Sequence, residues 1–77
     1  MEIEKIKNEL ENSVKNYCIK NKIPDSALVK LGHSGFVMNI LSSKIDELEI
    51  TPDLLEHVKN IVIDIHYRFV NTDEFEK

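Results

Sequence analysis

Three stretches of this chain place apolar residues at spacings of three and four, and each predicts an amphipathic helix. In residues 2–21, Ile3, Ile6, Leu10, Val14, Tyr17 and Cys18 form one stripe, while Glu4, Lys7, Glu11 and Lys15 fill the opposite face. Glu11 and Lys15 stand at i,i+4 in the favourable order. Asn21 tolerates left-handed backbone and can end the helix. Ile23 precedes Pro24 and is therefore pushed toward an extended conformation, so the chain turns there.

The second stretch covers residues 26–48, with Asp25 as the expected N-cap. Leu28, Leu31, Gly35, Met38, Ser42 and Ile45 fall on one heptad-like line. Gly32-His33-Ser34-Gly35 interrupts the apolar sequence. Two glycines cost about 2 kcal/mol of helix propensity together, but the register survives across them. One long helix, kinked at most, is the expectation.

The third stretch, residues 52–70, opens on Thr51-Pro52-Asp53. A threonine cap, a proline at the first position and an acid at the positive helix end make this the clearest local signal in the chain. Leu54, Leu55, Val58, Ile61, Val62, Ile65 and Phe69 follow at helical spacing. Residues 63–69 also alternate at period two with strand-favouring side chains, but a lone strand has no partner, so helix is the simpler reading. The remaining residues, 71–77, are polar apart from Phe75 and are expected to fray.

Together these signals give an all-α three-helix bundle, with a core of Ile6, Leu10, Val14, Leu28, Leu31, Met38, Leu41, Ile45, Leu55, Val58, Val62, Ile65 and Phe69. The third helix carries more apolar surface than so small a bundle can cover. Leu55, Val58, Val62, Ile65 and Phe69 form one face, and Ile63, Tyr67 and Val70 a second. Those eight residues are the candidate interface of a homo-oligomer that completes the bundle. Size points the same way. With 77 residues the core is thin, and such domains often need a disulfide, a metal or a partner. Cys18 is the only cysteine, and no Cys/His group has zinc spacing.

Charge narrows the function classes. The net charge is −4 and Arg68 is the only arginine, a poor endowment for neutralising phosphates, so nucleic acid is an unlikely partner. A helix-turn-helix with Gly32 in the turn and Gly35 to Lys44 as recognition helix is the form such binding would take. That helix would carry one lysine and no arginine. The amino-terminal residues lack the apolar run of a signal peptide, and no segment approaches the roughly 20 apolar residues of a membrane span. A cytoplasmic protein is expected.

Catalytic chemistry finds little purchase. Cys18 sits at the edge of an apolar stripe, where a structural thiol is expected. His57 shares a helix face with Asp53, the pattern of a surface ion pair. His66 and Asp64, two apart, do not face each other. No metalloprotease or phosphate-loop motif occurs, and the clustered carboxylates lie at solvated ends. We expect no catalytic residues, metal ligands or cofactor. Arg68 beside Tyr67, with His33 in the glycine-rich segment, is the candidate contact for an anionic or planar ligand, although Asp64 is a ready partner for Arg68.

In size, charge and class the chain resembles the small acidic helical inhibitors, antitoxins and immunity proteins of bacteria and phages, without sharing a motif with them. Its Lys-, Ile- and Asn-rich usage fits an AT-rich genome. The leading expectation is a regulator or inhibitor that binds another protein and self-associates. The alternatives are an oligomer that sequesters an anionic small molecule, and the helix-turn-helix DNA binder.

Overall fold

The computed structural model describes residues 2–76. Helix α1 spans Glu2–Asn21, α2 Ala27–Leu48 and α3 Leu55–Asn71, with a single 3-10 turn at Pro52–Leu54 leading into α3. Each helix packs on both of the others. The long axis of the molecule, 36 Å, is set by α2, because 22 residues at about 1.5 Å each reach roughly 33 Å.

The connections show why the helices stop where they do. At the end of α1 the left-handed residue is Lys22 (φ 52°) rather than Asn21. Lys22 N–H donates to the Ile19 carbonyl and Ile23 N–H to that of Cys18, at 3.3 and 3.2 Å. These are the paired bonds of a Schellman motif. Ile23 then folds back into the core beside Cys18. The N-cap of α2 is Ser26, whose hydroxyl accepts from Val29 N–H at 3.4 Å. Asp25 does not cap; its carboxylate is used by Lys30. At the other end of α2, Glu49 takes the left-handed position (φ 54°) and donates its N–H to the Asp46 carbonyl. Thr51 is extended as a cap should be, but it makes no side-chain capping bond. Pro52 starts the 3-10 turn, where its missing N–H is harmless.

Helix α2 runs unbroken through Gly32–Gly35. Neither glycine has positive φ. Packing of Val37 and Leu41 on the core side offsets their poor propensity, since each buried aliphatic side chain contributes about 1.5–3 kcal/mol. Residues 61–70 are helical. Ile65 and Phe69 of the alternating stretch are buried and Ile63 and Tyr67 exposed, and among the described residues there is no strand.

The core is Ile6, Leu10, Val14 and Cys18 from α1, Val37 and Leu41 from α2, and Val58, Ile65 and Phe69 from α3, closed by Ile23 and Phe75. Six expected core residues lie outside it: Leu28, Leu31, Met38 and Leu55 are exposed, and Ile45 and Val62 pack against it half-buried. In α2 the expected register is rotated over its first half, while Leu41 takes its expected inward place and Ile45 packs half-buried beside it. The inward positions are Lys30, Val37 and Leu41, supported by half-buried Ser34, Ile45 and Leu48. The Leu28–Leu31–Gly35–Met38 line faces out.

The tail also departs from expectation. Thr72 closes α3, its N–H and hydroxyl both donating to the Arg68 carbonyl at 3.0 and 2.7 Å. Phe75 then returns into the core and is 5% exposed. Lys77 lies outside the described residues.

Candidate interaction surface

Helix α2 has two faces of opposite character. Its inward face carries Lys30, 1% exposed, the one buried charged residue among those described. The Lys30 ammonium donates to Asp25 Oδ1 at 3.0 Å and to the Thr72 carbonyl, and it pairs with Glu76 Oε1 at 3.1 Å. Burial pulls the ammonium's pKa down. The Asp25 hydrogen bond, together with the negative charges of Glu76 and Asp25, outweighs that pull and holds it above the ordinary lysine value. Glu76 Oε1 lies off the hydrogen-bond direction and accepts no hydrogen bond among the described residues, so its link to Lys30 is electrostatic. Asp25, Asp73 and Glu76 bring three carboxylates together in the manner of a cation site. Lys30 already supplies a positive charge against two of them.

Arg68 is a second internal hub. Its Nε and Nη1 donate to Asp64 and Glu74, each at 2.9 Å, Nη2 donates to Glu11, and the guanidinium carbon lies 5.3 Å from the centre of the Phe75 ring. Burial disfavours its charge, but Glu11, with Glu74 and Asp64 beside it, raises the guanidinium above its ordinary value. The three candidate ligand contacts do not converge, and two of them are engaged elsewhere. Arg68 ties α1, α3 and the tail together. His33 Nδ1 is bonded to the Tyr17 hydroxyl at 2.7 Å and its ring sits beside Phe36. Tyr67 stands exposed.

Other candidate groups are equally plain. The Cys18 thiol is buried, and burial, with the nearby Glu76 charge, pushes its pKa up against the opposing pull of Lys30. Such a thiol is a poor nucleophile at neutral pH. Asp53 lies in the 3-10 turn, where the Thr51 hydroxyl and its own N–H lower its pKa; no ion pair joins it to His57 among the described residues. The turn that a helix-turn-helix requires is absent, because α2 is continuous across Gly32 and Gly35.

A separate exposed surface is apolar. On the outer face of α2, Leu28 is 82% exposed, Phe36 62% and Leu31 55%, with Val29 and Met38 also exposed. Gly32 and Gly35 lie among them, and a Cβ added at either would meet nothing within 4 Å. From Ala27 to Ser43 the only charged residue is the inward-pointing Lys30. Around the corner, Met38 and Ile45 of α2 and Leu55, Val58, Val62 and Ile63 of α3 line an open groove of about 330 Å³ whose one charged residue is Lys59. Of the eight α3 residues expected at an interface, Val58, Ile65 and Phe69 belong to the chain's own core. Val62 and Val70 are half-buried, and Leu55, Ile63 and Tyr67 are exposed. Periodicity alone assigns this apolar line of α2 to the core, and so conceals the surface. The sequence signal for it is Gly32-His33-Ser34-Gly35, a small-residue surface suited to close helix contact, which nothing inside the chain occupies at the two glycines.

On the α1 side of α2, Lys44 is held by Glu9 at 3.2 Å and Glu47 at 3.5 Å beside a shallow polar groove lined by Ser13 and Asn39. The Glu9 hydrogen bond raises the Lys44 pKa; desolvation opposes it, and the Glu47 charge adds to the rise. Among the described residues no helix is long and apolar enough to cross a membrane. No protein-family model, curated protein or solved structure matches the chain.

Proposed function

We propose that this chain is a small non-catalytic binding protein, a regulator or inhibitor of bacterial or phage type that acts in the cytoplasm through protein–protein contact and self-associates. One observation carries the reading. Lys30, Arg68, Cys18 and His33 are buried or committed to internal contacts, whereas an apolar surface, with Lys59 its one charged residue, runs along outer α2 and into the α2–α3 groove. Continuous exposed apolar surface of this extent marks an interaction site.

The groove suits one face of an amphipathic helix from another protein. Apolar side chains at i, i+3 or i+4, and i+7 would lie over Met38, Leu55, Val62 and Ile63, and an acidic residue at the edge would meet Lys59. Leu55 and Ile63 are exposed, so charging them should leave the fold intact. The test is capture of a partner from source-cell lysate by tagged wild type and by the Leu55→Glu/Ile63→Glu variant, with the contact mapped by hydrogen exchange. Loss of capture in the variant, with protection over 38–63 in the wild-type complex, is the expected result. A partner held equally well by both proteins, or protected elsewhere, would sink the assignment of the groove.

A further inference from the structure

We propose that the outer face of α2 is a homodimer interface in which two copies pack α2 against α2 in antiparallel fashion, crossing over Gly32 and Gly35. The proposal rests on the self-association part of the functional reading, and it moves that contact from α3 to α2.

Three observations converge on a second copy. The first is the pair of glycines. Each weakens the middle of a helix, and nothing inside the chain requires either. Both have ordinary helical φ, and no atom lies within 4 Å of the Cβ each lacks. A glycine spared this way allows a neighbouring helix backbone to approach closely, and here the neighbour must come from outside the chain.

The second is charge. The chain is acidic overall, so two copies repel each other over most of their surface. The strip from Ala27 to Ser43 exposes no charge and lets them meet without that cost. The ends of the strip differ in sign. Where α1 hands over to α2, Lys20 and Lys22 outnumber Asp25, which is paired with Lys30; where α2 ends, Asp46, Glu47 and Glu49 outnumber Lys44, which is held by Glu9 and Glu47. An antiparallel crossing sets the lysine end of one copy beside the acidic end of the other, at both ends of the interface. A parallel crossing would set like charges together.

The third is area. Leu28, Val29, Leu31, Phe36 and Met38, at their observed exposures, present on the order of 500 Å² of apolar surface. With the glycines, Asn39 and Ser42 between and beside them, the strip approaches the roughly 800 Å² per partner of a standard specific interface. In the crossing, the end with Leu28 and Leu31 of one copy lies over the end with Phe36 and Met38 of the other. Large side chains thus flank the glycine hollow on both sides.

The experiment is sedimentation equilibrium of the purified full chain at concentrations up to about 100 μM, a range that resolves dimers of micromolar affinity. Wild type should be a dimer. Gly35→Leu, which has room in the single chain and improves its helix propensity, should weaken the dimer at least tenfold while circular dichroism shows the fold retained. Ile63→Glu, in the groove on α3, should leave the dimer intact. Lys20→Glu/Lys22→Glu should weaken it at low salt, whereas a parallel pair would show no such loss. A wild type that stays monomeric, a Gly35→Leu variant that dimerises as tightly as wild type, or a dimer broken by Ile63→Glu instead would each overturn the proposal. A monomer that still captures a partner through the groove would overturn the dimer alone, and a dimer with no groove partner would fail the groove reading alone.

Discussion

Replacing Lys30 by methionine removes the buried ammonium while keeping most of the aliphatic stem that packs in the core. Three acceptors lose it. Asp25 is 66% exposed and rehydrates easily, so its loss is small. The Thr72 carbonyl loses its donor, and Glu76, only 15% exposed, is left as a nearly buried carboxylate without its cation. An unsatisfied buried acceptor costs about 1–3 kcal/mol, and breaking a buried ion pair from one side costs about 3–5. Because Asp25 is largely solvated and Glu76 keeps some contact with water, we expect a loss of about 2–4 kcal/mol. A chain of 77 residues has a total stability on the order of 4–11 kcal/mol, so the variant should be close to marginal. Urea unfolding followed by far-ultraviolet circular dichroism at neutral pH measures this. With a slope near 1 kcal/mol/M, the midpoint should fall by about 2 M or more. Adding Glu76→Leu to the variant removes the orphaned carboxylate and should restore a good part of the loss. A Lys30→Met protein as stable as wild type, or a double variant weaker than the single, would refute the assignment of Lys30 as the peg that holds the tail.

Alkali should destabilise the fold. The folded-state pKa values of Lys30 and Cys18 are both raised, so each contributes stability that is fully present below its unfolded value and is lost as pH rises through the folded one. Melting temperature should therefore fall above about pH 9, and by less in Lys30→Met; a flat profile to pH 11 would contradict this. Lys22→Gly and Glu49→Gly relieve left-handed strain at the ends of α1 and α2 and should each add about 0.5–1 kcal/mol in urea unfolding. Phe75→Ala empties a core position and removes the ring beneath Arg68, for an expected loss of about 3 kcal/mol and faster proteolysis after Asn71; unchanged stability and digestion would mean the tail does not hold.

Helix positions were legible from local signals. The stripe Ile6–Leu10–Val14–Cys18 is both the apolar and the buried face of α1, and Thr51-Pro52 marks the entry to α3. The orientation of α2 was not legible. Its core face contains a lysine and a serine, and Lys30 becomes an inward residue only because Thr72 and Glu76, more than forty positions away, return to meet it. The tail was hidden for the same reason. Phe75 is a lone apolar residue among acids, and its burial depends on Arg68 and Lys30 neutralising the carboxylates around it. Asp64 was visible as an i−4 partner of Arg68, while Glu11, fifty-seven residues off, was not. Burial driven by distant ion pairs leaves no periodic trace.

The two-sided character of α2 divides the constraints on its sequence. Substitutions at Leu28, Leu31, Phe36 and Met38 touch little of the chain's own core, so a library randomised at those four sites should yield folded members in abundance. The same treatment of Lys30, Val37 and Leu41 should yield few. Selection can therefore rewrite what this helix recognises without renegotiating how the chain folds, and descendants of one sequence can diverge in partner while keeping one scaffold.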